Sequence, residues 1–282
     1  MKRGKVMSTI TNYECVTVEK DDGLTWVTLN RPDKRNAMSP ELDREMLDII
    51  LNLEGDPETR VLILTGAGDA FCAGMDLKLY FRALEDKPAE RIRAEWVTHQ
   101  WRWYRLWNFP KPTIAMVNGY CMGGAFTQLV ACDFAIAADD AKFGLSEINW
   151  GILPGGLVSK ALHVCLGYRD ALYYSLTGET FDGKKAEEIK LITKSVPAAE
   201  LRKTTEEFAR RFLKLNPETL RATKQAVKAV REMDVGQAHE YLMAKSSELR
   251  ARDKEDGYRQ GIKQFVDDKS YKPGLGAYNR TD

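Results

Sequence analysis

Two uninterrupted apolar runs, Arg60 to Thr65 (RVLILT) and Pro112 to Asn118 (PTIAMVN), each close on glycine. They are of strand length, and without an alternating polar face they belong in a sheet covered on both sides. Gly66-Ala67-Gly68 ends the first and Asn118-Gly119 the second. Helical patterns come next, a charged and aromatic stretch from about Pro88 to Trp107 and then Gly123 to Cys132. Asp133 to Ala138 and Ala141 to Phe143 predict further short strands. Strand, glycine turn and helix in repetition require crossover connections, which predicts an α/β fold. No fixed period supports a solenoid of identical repeats.

Upstream, Tyr13 to Glu19 and Leu24 to Leu29 are β-rich and separated by Lys20-Asp21-Asp22-Gly23, so they predict a hairpin. Ser39-Pro40-Glu41 supplies a cap, a first-turn proline and an early acid for a helix reaching about Leu53. Downstream of Ala198 the chain turns to charged helices. Asn216-Pro217-Glu218 starts one, with Leu220, Val227 and Val230 on its apolar face, and a last periodic segment spans Val235 to Val266. We therefore expect an α/β core over residues 1–197 and a helical region over 198–282 whose narrow apolar face forms an oligomer contact or packs back on the core, and which closes the pocket.

With 282 residues, 44% of them hydrophobic, the chain can bury a substantial core. Its 42 Lys and Arg against 41 Asp and Glu leave no bulk field toward nucleic acid or an anionic membrane, so any bound anion must be met by local groups. No apolar run approaches the ~20 residues of a membrane helix. Basic residues at the N-terminus are not followed by an apolar stretch, which argues against a secretory signal, and Met1 to Val6 read as a ragged start before Met7. Cys15, Cys72, Cys121, Cys132 and Cys165 are odd in number and scattered, which disfavours disulfides and zinc alike and points to a reducing cytoplasm. His99, His163 and His239 lack metal-ligand spacing, so no metal is expected.

The two glycine turns carry the first functional signal. A turn after a buried strand that opens a helix presents unpaired N–H groups at the positive end of a dipole, suited to an oxyanion. Dinucleotide binding fails on spacing, because Phe71 stands where a third glycine would be needed, and there is no P-loop lysine. The second signal is FGLSEINWG, residues 143–151, which places Glu147 in a stretch short of other charge and rich in glycine. A carboxylate in an apolar pocket has its pKa raised and can act as both acid and base near neutral pH. GLSEI lacks the second glycine of a nucleophile elbow, so Ser146 is not read as a nucleophile.

NRPDKRNAM, LTGAGDAFCAGMDL, PTIAMVNGYCMGGAF, ACDFAIAADDAKFGLSEINWG and LTGE with FDG and KAEE together resemble the crotonase, or enoyl-CoA hydratase/isomerase, superfamily over nearly the whole chain. Within it, AGMDLK with YF, GLSEINWGI and FVDDKSYKPGL are most similar to a hydratase-lyase branch. That branch hydrates hydroxycinnamoyl thioesters and cleaves them to an aromatic aldehyde and acetyl-CoA. The resemblance implies a spiral of ββα units with C-terminal helices that pack trimers or dimers of trimers, and an acyl-CoA substrate with no separate cofactor. It implies that the N–H groups of Met75 and Gly124 form the oxyanion hole and that Glu147 is the acid/base. Lys34 would lie near the CoA phosphates, and Ala73 and Leu77 along the adenine and pantetheine path.

Thr127 stands where ordinary hydratases carry a first glutamate, which leaves either the hydratase-lyase or a one-carboxylate isomerase. Tyr80 would bond a phenolic oxygen, with Ser146, Trp150 and Gly155 in the same pocket. Met243 replaces a second tyrosine of the branch, and a thioether cannot donate a hydrogen bond. The alternative of an RNA-binding superfamily member calls for a lysine-rich helix face, whereas the first helix here reads acidic from Glu41 to Asp48.

Overall fold

The computed structural model describes residues 8–10, 13–270 and 276–280. Strands β1 (Ser8–Ile10), β2 (Val16–Asp21), β3 (Leu24–Leu29), β4 (Val61–Gly66), β5 (Ala70–Cys72) and β6 (Thr113–Val117) are followed by β7 (Tyr120–Met122), β8 (Phe134–Ala138), β9 (Phe143–Gly144), β10 (Thr180–Phe181) and β11 (Lys194–Val196). They form a large sheet in the order β1-β2-β3-β4-β6-β8-β11 and a small one in the order β10-β9-β7-β5. The predicted hairpin is β2 and β3, with a tighter turn than expected: Asp21 pairs with Leu24, and Asp22 and Gly23 both have positive φ. That is the mirror-image turn whose twist suits antiparallel strands.

From β4 on, the chain alternates between the sheets. β4 lies in the large sheet and β5 in the small one, β6 and β7 repeat this, and β8 and β9 repeat it again, each pair followed by helix. This is the expected ββα spiral. β4 and β6 are buried at every residue, as their unbroken apolar sequence requires. The helices are α1 (Pro40–Gly55), α2 (Pro88–His99), α3 (Ala125–Ala131), α4 (Val158–Cys165), α5 (Tyr168–Thr177) and α6 (Gly183–Glu188). Ser39 caps α1 by accepting from the Leu42 N–H, as its sequence predicts. The stretch read as one helix from Pro88 to Trp107 contains a π-helical turn at Gln100–Arg105, and another π turn spans Leu77–Arg82.

The C-terminal helices are α7 (Leu201–Leu213), α8 (Pro217–Ala229), α9 (Val235–Arg252) and α10 (Gly257–Ile262). On α7, Phe208 and Phe212 pack their rings on Phe134 of β8. On α8, Lys224 and Lys228 each lie 2.7 Å from the Asp133 carboxylate at the start of β8. The face expected from Leu220, Val227 and Val230 is not the one α8 buries. Val227 is exposed and Ala222 is the buried residue, because the helix is anchored by its lysines.

The segment expected to run unbroken from Val235 to Val266 is interrupted after Arg252. The Asp253 carboxylate accepts from the N–H groups of Glu255 and Gly257, and Asp256 takes positive φ, which together end one helix and start the next. The FVDDKSYKPGL motif lies partly, and Met1 to Val6 wholly, outside the described residues. No described helix is long and apolar enough to cross a membrane.

Candidate active site

Three adjacent strands of the small sheet, β5, β7 and β9, end at one side of a cavity of about 500 Å³. Met75 follows the end of β5, Gly124 the end of β7 and Glu147 the end of β9, and all three line that cavity. Successive turns of the spiral thus deliver one group each. Met38 bridges the Met75 segment through its own N–H to Gly74 and its carbonyl to Asp76, which leaves the Met75 N–H uninvolved. Neither the Met75 nor the Gly124 N–H has an acceptor among the described residues. Gly124 immediately precedes α3, so its N–H sits at the positive end of that helix.

Glu147 lies on a short 3-10 turn, Ser146–Trp150. Burial pushes its carboxyl above the usual glutamate range, opposed by a smaller contribution from a backbone hydrogen bond. Its Oε2 is buried without a hydrogen-bond partner. Gly123 has φ +50, and a Cβ there would lie 2.9 Å from Glu147 Oε1, so only glycine lets the carboxyl approach this backbone.

Nine of the residues expected at the site converge on this cavity: Ala73, Met75, Leu77, Tyr80, Gly124, Ser146, Glu147, Trp150 and Gly155. Leu77 and Trp150 are exposed at its mouth. Three others lie elsewhere. Lys34 is an exposed residue on a turn at Pro32–Lys34, paired with Asp33 at 3.2 Å. Thr127 is fully buried on α3 behind the lining, its hydroxyl donating to the Gly156 carbonyl at 3.2 Å. Met243 is exposed on α9, which buries no residue in this chain.

One wall of the cavity, apart from Tyr80, was not legible in the motifs. Tyr80 donates from its hydroxyl to Asp43, which Thr98 Oγ1 also reaches at 2.7 Å and Trp101 Nε1 at 2.7 Å. Asp43 therefore does not belong to a solvated acidic face of α1. It is fully buried, and burial raises its pKa against the pull of Tyr80, Thr98, Arg102 and Trp101. Glu45 is buried as well, accepting from the N–H groups of Glu14 and Cys15. Burial raises the Tyr80 pKa further, with Asp43 reinforcing it, so the phenol keeps its proton. His99 and Arg102 complete the wall, and burial, then the Arg102 charge, holds the His99 pKa below its usual value.

The sequence from residue 19 to 272 matches the enoyl-CoA hydratase/isomerase family. The chain belongs to that family. It is 56% identical over 271 residues to a hydroxycinnamoyl-CoA hydratase-lyase of Pseudomonas fluorescens, covering 95% of this chain and 98% of the relative. An (E)-benzylidenesuccinyl-CoA hydratase of Thauera aromatica is 33% identical over 253 residues, 89% of this chain and 95% of its own. Among solved structures, an enoyl-CoA hydratase from Bacillus anthracis superposes with a TM-score of 0.78 at 28% identity, covering 92% of this chain and 95% of that one. Membership makes this an enzyme that works on acyl-CoA thioesters, and the spiral of ββα units is the family's fold. Among the described residues no group of His, Cys, Asp or Glu is placed to hold a metal.

Proposed function

We propose that the protein hydrates a hydroxycinnamoyl-CoA, such as the feruloyl, p-coumaroyl or caffeoyl thioester, and cleaves the adduct to an aromatic aldehyde and acetyl-CoA. The observation that carries this is a half-buried carboxyl, Glu147, whose Oε2 has no hydrogen-bond partner, sharing a cavity with two backbone donors that lack acceptors. The 56% identity to a hydratase-lyase over 95% of the chain supports this reaction over hydration alone.

The thioester oxygen accepts from Met75 and Gly124, which draws electrons from the β-carbon. Glu147 takes a proton from water as the oxygen adds there, then gives it to the α-carbon. As a carboxylate again, it removes the proton of the new β-hydroxyl. The bond between the α- and β-carbons breaks, its electron pair passes to the enolate of acetyl-CoA, and Glu147 returns the proton to that carbon. Each turnover leaves the carboxyl as it began, so a single acid/base suffices with Thr127 where a second would stand. No oxidant or reductant enters, and the proposal includes no cofactor beyond the CoA of the substrate. Two donors aimed at the developing enolate are worth several kcal/mol of barrier.

In this reading Tyr80, Ser146, Trp150 and Gly155 surround the ring, Ala73 and Leu77 flank the pantetheine, and Lys34 reaches toward the CoA phosphates. The uncovered apolar side chains of α9, Leu242 and Met243, suit a homo-oligomer, a trimer or a dimer of trimers built by residues 198–282. Met243 would join a ring pocket only through such a neighbour. The five free thiols suit a reducing cytoplasm. Purified protein incubated with feruloyl-CoA should release vanillin and acetyl-CoA in equal amounts. A hydrated thioester or a moved double bond without aldehyde would instead identify a hydratase or an isomerase.

A further inference from the structure

Arg102 stands directly behind the two oxyanion donors. It lies on the π turn Gln100–Arg105 and is 3% exposed. Its Nη1 donates to the Gly124 carbonyl at 3.1 Å and sits 3.9 Å from the Met75 sulfur. Its Nη2 donates to the Gly156 carbonyl at 3.3 Å, two residues before α4. Nε is buried without a partner. No carboxylate pairs with this guanidinium among the described residues, and the oxygens of Asp43, the opposing charge that acts on it most, are already taken by Tyr80, Thr98 and Trp101.

An arginine buried this deeply without a direct counter-ion is costly. Holding two carbonyls does not by itself require a charge, since the Thr127 hydroxyl already donates to one of them. A charge is useful where negative charge develops nearby in a low-dielectric site, and the thioester oxygen becomes an enolate between Met75 and Gly124. We propose that Arg102 is a positioning residue for the oxyanion hole. It holds the Gly124 carbonyl and touches the Met75 sulfur, so that the N–H groups of those two residues stay aimed at the thioester oxygen, and its buried positive charge favours the enolate formed there. The inference rests on the reaction proposed above, but its decisive measurement needs only binding.

The test uses the full chain with cinnamoyl-CoA as probe. In a Glu147→Gln background the thioester's long-wavelength absorption band should move to the red on binding, because a polarised carbonyl lengthens conjugation. Arg102→Met should remove about half of that shift or more, and Arg102→Lys should keep most of it. With Glu147 intact, Arg102→Met should lower kcat about 30-fold while KM changes less than about threefold, the pattern of an interaction made in the transition state. An Arg102→Met protein with the parental circular dichroism spectrum and an undiminished band shift would overturn the proposal. If that variant does not fold, Arg102→Gln, which keeps a donor for one carbonyl, is judged by the same two readings. Should the parent cleave or hydrate no cinnamoyl thioester, the functional reading fails, while the band shift still decides the role of Arg102.

Discussion

The floor of the cavity, from Met75 through Gly123 and Gly124 to Glu147, is backbone and one carboxyl set down at strand ends. The wall, Tyr80, Thr98, His99 and Arg102, is side chains gathered around the buried carboxylate of Asp43. A floor of this kind tolerates little change, because its groups touch the reacting atoms and its spacing comes from the sheet. Apart from Arg102, whose charge faces the oxyanion hole, a wall of this kind spreads its function over several hydrogen bonds, so losing one should be felt more in stability than in chemistry.

The comparison breaks if the floor proves forgiving. Glu147→Gln should lower kcat about 1000-fold or more with KM for the thioester changed less than about threefold, measured as aldehyde release. Next in size, Gly123→Ala puts a methyl group 2.9 Å from Glu147 Oε1 on a backbone with positive φ. Displacing the carboxyl by about 1 Å should lower kcat about 100-fold, and a crystal structure of the variant should show the shift.

The wall is tested by Asp43→Asn, which keeps the shape but removes the charge that Tyr80, Thr98 and Trp101 all address. It should lower unfolding free energy in urea by about 2 kcal/mol and kcat less than about tenfold. A larger fall in kcat than in stability would place Asp43 with the floor. The smallest effect is in pH dependence. Because burial raises the Glu147 pKa, the acidic limb of the kcat profile should lie above the usual glutamate range, activity falling as the base is protonated. The raised value also means that the folded protein holds this proton more tightly than the unfolded one, so the residue's contribution to stability declines as pH rises. Glu147→Gln should therefore raise Tm by about 1 °C at pH 7.5, with the gain shrinking toward pH 5.

The floor was readable in the sequence because its chemistry demands particular residue types. Gly123 lies where only glycine lets the backbone approach Glu147, Gly124 follows it at the start of a helix, and Glu147 stands out against an uncharged neighbourhood. Apart from Tyr80, the wall was hidden for physical reasons. Asp43 sits among Glu41, Arg44 and Glu45 in a helix whose pattern reads as solvated, and nothing local shows that Trp101 will reach it. Arg102 lies on a π turn, where one extra residue per turn rotates side chains off the faces that a 3.6-residue period assigns. Thr127 matches a family position, but its hydroxyl is spent on the carbonyl of the lining residue Gly156 and does not itself line the cavity, a choice set by a loop nearly thirty residues away. The break after Arg252 depends on one aspartate satisfying two backbone N–H groups, which periodicity alone does not register.

The ends of β5, β7 and β9 carry a further consequence. Hydrogen-bonded strands lie about 4.8 Å apart, a pitch fixed by the peptide group and indifferent to side chains. The small sheet is therefore a ruler, and donor, donor and carboxyl are mounted on three successive marks. Point substitutions can exchange what stands at a mark, but they cannot move the marks. Reactions within reach of this chain are accordingly those whose oxyanion and proton-transfer centres fit that graduation.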